Sequence, residues 1–385
     1  MTTGAGPAAG TGTAAGPAGG AGPVGVALVG AGVISTQYLT ALTAFPDVRV
    51  LAVADLDTER ARAAARTFGI PAAGDVASVL AIPEVEIVVN LTTPAAHAEV
   101  AGAALAAGKH VYGEKPLALA PSDGAKILAE AQSRGLRVGS APDTFLGAGL
   151  QSAARALSAG VIGEPVSATA VTQGPGPENW HPSPEFLFQY GAGPLFDIGP
   201  YYLTALVALF GPVTRVAATT RQARAQRVIG SGPKAGTAFA VEVPTHVHAL
   251  LDFVSGPSTS ATFSFDSSVP RRMIEITGTE GTLSLPDPNT FGGPLKVRAF
   301  GEQEWRDLPV TGTTAGRGIG VLDMARALRT GAAHRACGDL AQHVLDLMST
   351  VIESAGRHGF VDLESRPPEV AVLPDDWDPA AVTLT

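Results

Sequence analysis

The chain has 385 residues, 45% of them apolar, and a formal net charge of −9. That length suits two domains with a large core, and the acidic balance argues against a nucleic-acid partner, which would call for a basic patch. The single cysteine, Cys337, rules out a disulfide framework or a cysteine zinc site within the chain and fits a reducing cytoplasm. No apolar run approaches the roughly 20 residues of a membrane span, and the start lacks the basic-then-apolar pattern of a secretory signal. Residues 2–23 hold only Thr, Gly, Ala and Pro, so 1–23 is expected to be an unstructured tail.

From Val24 the pattern becomes strand, helix, strand. The stretch VGVALVGAGVIS, Val24 to Ser35, opens with a short apolar run, turns at Gly30-Ala31-Gly32 and enters a helix expected over Val33 to Ala44. Such a turn aims backbone N–H groups and the positive end of a helix at an anion. Gly30 allows the sharp turn, and Gly32 lets a diphosphate approach, with Val33 and Ile34 at the helix entrance. Ser35 replaces the third glycine of the usual GxGxxG, whose main service is helix–strand packing. The second strand, Val48 to Ala54, ends in Asp55, 23 positions after Gly32. An acidic residue there can bond the adenosine ribose hydroxyls and repel a 2′-phosphate, which favours NAD over NADP. Arg60 and Arg62 keep NADP open, and a helix N-cap is the plain alternative for Asp55.

A helix over Thr58 to Phe68 follows, then a buried strand over Glu86 to Leu91. That strand ends at Thr92-Thr93-Pro94, and the next helix runs through His97 to Ala107. The strand starting at Lys109 stops at Glu114-Lys115-Pro116. A helix over Pro121 to Arg134 and a strand over Arg137 to Ser140 complete the alternation. This predicts a doubly wound parallel sheet over 24–141, with ligands bound beyond the strand ends where Gly30, Asp55, Thr92 and Lys115 fall.

The remainder, 142–362, reads as an α+β unit with a large, mostly antiparallel sheet. Its strands include His246 to Phe253, Ser260 to Phe265, Met273 to Thr277 and Thr282 to Leu285, and helices over Ile319 to Arg329 and Leu340 to Ala355 close it. A proline-rich loop, Gln173 to Gln189, carries Trp180 and His181, which suit a sugar site by stacking and hydrogen bonding; a solvent-facing loop is the alternative. His246 and His248 share a strand face without an evident third metal ligand; His246 is also a substrate candidate, and Glu178, Asn179, Arg271 and Arg272 are weaker ones. No metal site is expected. Residues 363–385 are expected to form an extended tail.

GAGVIS, Asn90-Leu91-Thr92-Thr93-Pro94 with His97, the Glu114-Lys115-Pro116 triplet and GAGPLFDIGPYY at 191–202 resemble, in order and spacing, the Gfo/Idh/MocA oxidoreductases. The resemblance spans roughly 24–360. It implies a Rossmann domain, a second domain whose open sheet builds homodimers or homotetramers, a nicotinamide cofactor, and a sugar, glycoside or cyclitol substrate. Lys115 matches the catalytic lysine of the family. Glu114 and the turn Asn90, Thr92, Thr93, Pro94 match positions lining the nicotinamide half. Asp197 matches the aspartate of a D-x-G-x-H motif, in which Tyr201 here replaces the histidine.

A carbinol oxidation needs a hydride acceptor and a base for the hydroxyl proton. Partial burial and a cationic nicotinamide would lower the pKa of Lys115 towards the range of a general base; a surface lysine in a turn is the alternative. Tyr201 can donate a proton with Lys115 stabilising the phenolate, or hydrogen-bond the substrate, or simply pack. Asp197 orients Lys115 or a sugar hydroxyl, or caps the following helix. The expected activity is NAD(P)-dependent sugar or cyclitol oxidoreduction. Two other readings remain: glycoside cleavage through a transient keto-sugar, and a non-catalytic NAD-binding regulator.

Overall fold

The computed structural model describes residues 21–385; the expected tail lies almost wholly outside them. Six strands, β1 (Val24–Val29), β2 (Val48–Ala54), β3 (Ala72–Gly74), β4 (Ile87–Asn90), β5 (His110–Gly113) and β6 (Val138–Ser140), form one sheet in the order β3-β2-β1-β4-β5-β6. All of its pairs are parallel. Helices α1 (Ser35–Leu42), α2 (Thr58–Phe68), α3 (Val76–Leu80), α4 (His97–Ala106) and α5 (Pro121–Ser133) make the crossovers. Every residue of β1 and β4 is buried, as their unbroken apolar character requires in a sheet covered on both faces. The strand order reverses between β1 and β4, which opens a crevice above their carboxyl ends. The short pair β3 and α3 was not expected; a three-residue strand carries too little periodicity to read.

After α6 (Ala148–Ser158) the chain enters a nine-stranded sheet. Its strands are β7 (Pro165–Gln173), β8 (Val213–Arg221), β11 (His246–Phe253), β12 (Ser258–Ser264), β13 (Arg271–Gly278), β14 (Gly281–Leu285), β15 (Leu295–Ala299), β16 (Arg306–Leu308) and β17 (Val361–Asp362). The order is β16-β15-β14-β13-β7-β12-β11-β8-β17. Only β7 and β12 run parallel; the other pairs are antiparallel. The hairpin of β9 (Gln226–Val228) and β10 (Ala238–Ala240) stands apart. Helices α7 (Gly193–Asp197), α8 (Gly199–Phe210), α9 (Ile319–Thr330) and α10 (Gly338–Arg357) complete the chain.

Strand alternation gives this second sheet two unlike faces. One buries Val216, Val247, Ala249, Leu251, Ala261, Phe263, Ile274 and Ile276 under helices. The other leaves Thr169, Thr219, His248 and Leu250 exposed. Helices α9 and α10 also touch the first sheet's elements, including β6. From Leu363 onward no helix or strand forms, yet the segment is anchored. Leu373 N donates to Gln151 Oε1 at 2.7 Å, and Trp377 lies 4.9 Å from the Arg326 guanidinium. Thr383 N and Leu384 N each donate to Asp47 Oδ1 at 2.9 Å. The last residues thus close over the loop between α1 and β2.

Candidate active site

The cleft above β1 and β4 begins at the glycine turn. Gly30 has φ +103°, and a Cβ there would fall 2.6 Å from the Leu91 carbonyl oxygen, so only glycine fits without strain. A Cβ at Gly32 would meet no atom within 4 Å. The space over Gly32 is open to a ligand. No side chain caps α1; Ser35 N and Gln37 N are turned onto the Gly32 and Ile34 carbonyls, and Val33 is almost fully exposed at the entrance. Ser35 is buried, and its Oγ donates to the Gly32 carbonyl at 2.6 Å. The helix–strand contact therefore accommodates a serine where a third glycine would sit.

Asp55 stands at the end of β2 with Oδ2 accepting from Ala31 N at 2.7 Å and Oδ1 from Asp57 N at 2.9 Å. The cap of α2 is Asp57, which accepts from Glu59 N and Arg60 N. Asp55 is therefore free of the capping duty that was its alternative, and it is tied to the glycine turn itself. Arg60 Nη1 lies 3.8 Å from Asp55 Oδ1.

The turn after β4 is braced from below. Asn90 is buried; its amide donates to the His97 carbonyl at 3.0 Å, and its Oδ1 accepts from Thr92 Oγ1 at 2.6 Å. The His97 ring spans the Thr92 carbonyl, 3.1 Å from Nε2, and the Pro116 carbonyl, 2.6 Å from Nδ1. It clamps the Thr92-Thr93-Pro94 turn to the Glu114-Lys115-Pro116 turn. Glu114 likewise points inward, accepting from Tyr38 Oη at 2.8 Å and from Lys115 N at 3.0 Å. Asn90, His97 and Glu114 shape the wall of the cleft from behind.

Lys115 crosses to the second domain. Its Nζ donates to the Asp197 carbonyl at 2.6 Å and to Asp197 Oδ1 at 3.1 Å, and sits 5.4 Å from the centre of the Tyr201 ring. The cap position of α8 is Ile198, without a side-chain bond, so Asp197 serves Lys115 rather than the helix. Burial disfavours the Lys115 charge, but Asp197, Tyr201 and Glu114 outweigh it and hold the ammonium above the usual lysine value. This corrects the expected lowering, which burial would produce only without the carboxylate partner. Burial also raises the Tyr201 phenol; Lys115 and Arg317 offset part of this, and Glu114 and Asp197 add to it. The phenol is thus protonated at neutral pH, fit to donate.

Trp180 and His181 lie on a loop with its own packing. Their loop and the β9–β10 hairpin share a small apolar cluster of Leu187, Phe188, Val241 and Phe265. Buried Arg227 holds the two together through Glu178 and Asp266. Trp180 is 69% exposed; His181 Nδ1 accepts from Ser183 N at 3.0 Å. No hydrogen bond joins either residue to Lys115, Asp197 or Tyr201. His246 is turned away: its neighbour Val247 meets Leu195 and Phe196 of α7 around a cavity of about 360 Å³, so alternation sends His246 to the open face. There it bonds Ser264, and His248 bonds Thr262. Among the described residues no group of three His, Cys, Asp or Glu side chains could hold a metal ion, and no helix is long and apolar enough to cross a membrane.

Residues 24–141 match the oxidoreductase family with an NAD-binding Rossmann fold, and residues 150–284 match the GFO/IDH/MocA C-terminal domain. The chain belongs to the Gfo/Idh/MocA family. Within that family of NAD-binding oxidoreductases it is 30% identical over 318 residues to the dTDP-3,4-didehydro-2,6-dideoxy-alpha-D-glucose 3-reductase of Streptomyces violaceoruber, covering 76% of this chain and 88% of the reductase. It is 29% identical over 267 residues to the D-apiose dehydrogenase of Paraburkholderia graminis, covering 67% of this chain and 66% of the dehydrogenase. Levoglucosan dehydrogenase in complex with NADH and L-sorbose shares the fold, with a TM-score of 0.77, 22% identity and coverage of 89% of this chain and 100% of that one. The family match agrees with the open space over Gly32 and the uncapped α1.

One residue of this Gfo/Idh/MocA site was missed. Arg317 lies 5.3 Å from the centre of the Tyr201 ring. No motif marks it; a lone arginine between two glycines, 116 positions from Tyr201, has no local signal.

Proposed function

We propose that the protein is an NAD-dependent oxidoreductase acting on a secondary hydroxyl or keto carbon of a sugar, glycoside or cyclitol. The observation that carries this reading is the Lys115–Asp197–Tyr201 cluster, which joins the two domains beside the strand-end cleft. The open face of Gly32 and the N-terminus of α1 hold the diphosphate, and Asp55 receives the adenosine ribose hydroxyls. Its carboxylate disfavours a 2′-phosphate, so NAD is preferred over NADP, with Arg60 close enough to permit some of the latter. Bound NAD supplies the acceptor or donor of hydride.

The protein's own groups manage the oxygen and its proton. Lys115, held charged, donates to the substrate oxygen and orients the reacting carbon. In reduction Tyr201 breaks its Oη–H bond to protonate the carbonyl oxygen, leaving a phenolate beside Lys115 that regains its proton from solvent; oxidation is the reverse, with the phenolate form taking the hydroxyl proton. Asp197 keeps Lys115 aimed. The similarity to a dTDP-sugar reductase and a D-apiose dehydrogenase supports a carbohydrate substrate. A spectrophotometric screen of sugars, glycosides and inositols with NAD(H) and NADP(H), in both directions, tests the reading. Absence of turnover across that panel, or of NADH binding, overturns it.

The open sheet face, with small uncharged Thr169, Thr219 and Thr262 around Leu250, supports a homodimer or homotetramer built on that face, to be checked by light scattering. The single cysteine supports a cytoplasmic location.

A further inference from the structure

Arg317 sits in the segment leading into α9, between Gly316 and Gly318, both with positive φ. It is mostly buried. Its Nη2 donates to Asn289 Oδ1 at 2.9 Å, while its Nη1 is shielded from solvent and meets no acceptor among the described residues. A buried guanidinium that leaves a donor unpaired is costly. What it faces is the Tyr201 ring at 5.3 Å, the ring that Lys115 Nζ approaches at 5.4 Å. Two cations thus lie within cation–π range of one phenol.

We propose that Arg317 is a positioning residue for Tyr201: it holds the ring beside Lys115 and favours the negative charge left on the phenol oxygen when its proton departs. The inference rests on Tyr201 as the proton donor. The charged groups that face Tyr201 are Lys115 and Glu114 after β5, Asp197 at the end of α7 and Arg317 before α9. Arg317 itself also faces Tyr38 on α1 and Asp143 beyond β6. Of these, only Lys115 and Arg317 oppose the negative field of the carboxylates. Lys115 is already engaged by Asp197. Among the described residues Arg317 has no carboxylate within ion-pair distance, and Glu114 and Asp143 act on it only from farther off.

The test is a tyrosine titration of the full chain, read by NMR of 13Cζ-labelled tyrosine. The chain has five tyrosines, and the resonance lost in Y201F assigns Tyr201. In R317Q the Tyr201 midpoint moves up by about one to two pH units, the size expected for a charge lost at this distance in a partly buried site. In R317K, which keeps the charge, it stays within about half of that shift. N289A, which only loosens the guanidinium, falls between them and serves if R317Q does not fold. An unmoved midpoint in R317Q, or equal shifts in R317Q and R317K, overturns the inference. Turnover of Y201F on a sugar that the screen identifies is read separately. If Y201F remains fully active, the proton-donor reading fails whatever the titration shows.

Discussion

Two neighbouring glycines allow the cofactor cradle to be tested apart from the fold. Gly30→Ala and Gly32→Ala add the same methyl group two residues apart, with opposite consequences. At position 30 the methyl carbon would stand 2.6 Å from Leu91 O, 2.7 Å from Leu91 C and 2.9 Å from Thr92 N, all backbone atoms, at a φ of +103°. Neither the backbone of the β4 turn nor the strained dihedral yields cheaply. The cost is about 2–4 kcal/mol, a fall in Tm of several degrees for a chain of this size. At position 32 the methyl has no neighbour within 4 Å and no positive φ to strain. Folding should be unaffected, or improved by a few tenths of a kcal/mol through the lost freedom of the unfolded chain. The methyl instead occupies space that the diphosphate needs, so NADH affinity falls at least about tenfold, equivalent to about 1.4 kcal/mol. Differential scanning fluorimetry and NADH fluorescence titration on both variants give the comparison. A Gly32→Ala protein that binds NADH like the unmodified chain would place the diphosphate somewhere other than over this turn, and the reasoning would fail.

Lys115→Ala should lower kcat by about 10²–10⁴-fold, the usual span of a general acid–base contribution, with NADH affinity within about threefold; a loss under tenfold would remove Lys115 from the chemistry. His343 is fully buried, with Nε2 accepting from Val213 N at 3.0 Å and Nδ1 2.8 Å from Ser365 Oγ. Burial, reinforced by Arg366, pushes it down to about 4. The unfolded chain therefore takes the proton first. Stability from this site is complete above about pH 6.5 and is lost as pH falls towards 4, by up to about 3 kcal/mol. Urea unfolding at pH 7 and 4.5 should show a smaller loss in His343→Gln; equal losses would refute the assignment. Asp47→Ala strips the bonds from Thr383 and Leu384 and takes the carboxylate from Arg326, whose Nη2 keeps the Asp378 and Ala381 carbonyls, costing about 1–3 kcal/mol. Carboxypeptidase digestion should then reach the last residues much faster; an unchanged rate would show that Asp47 does not retain them.

What was legible in the sequence was whatever a short stretch dictates by itself. The period-two and period-3.6 patterns, the glycine turn and Asp55 at the end of its strand each depend on neighbours a few residues away, and they mark the Rossmann sheet and its ligand edge. The Lys115–Asp197 contact joins residues 82 positions apart, and its consequence was misjudged: burial alone lowers a lysine, whereas the carboxylate that meets it reverses the sign. His246 shows a different limit. Alternation tells which residues share a face, but only the packed helices tell which face is inward. Arg317 is the far case, since neither composition nor spacing connects it to Tyr201. Asn90, His97 and Glu114 are cofactor-side candidates by their place along the chain, but their inward hydrogen bonds, beneath the cleft wall, emerge only in three dimensions.

The closure of the C-terminal segment over Asp47 has a consequence for synthesis. Asp47 lies in the Rossmann domain, made before the second domain, yet three of the hydrogen bonds to its carboxylate come from residues 336 and 337 positions later. Its other side-chain partner, Arg326, also arrives late. At about 5–20 residues per second, the carboxylate stays hydrated, without the bonds from Thr383 and Leu384, for roughly 15–70 seconds. The Rossmann unit therefore gains these bonds only after residues 383 and 384 are made, and a substitution in that late segment reaches back to the loop between α1 and β2.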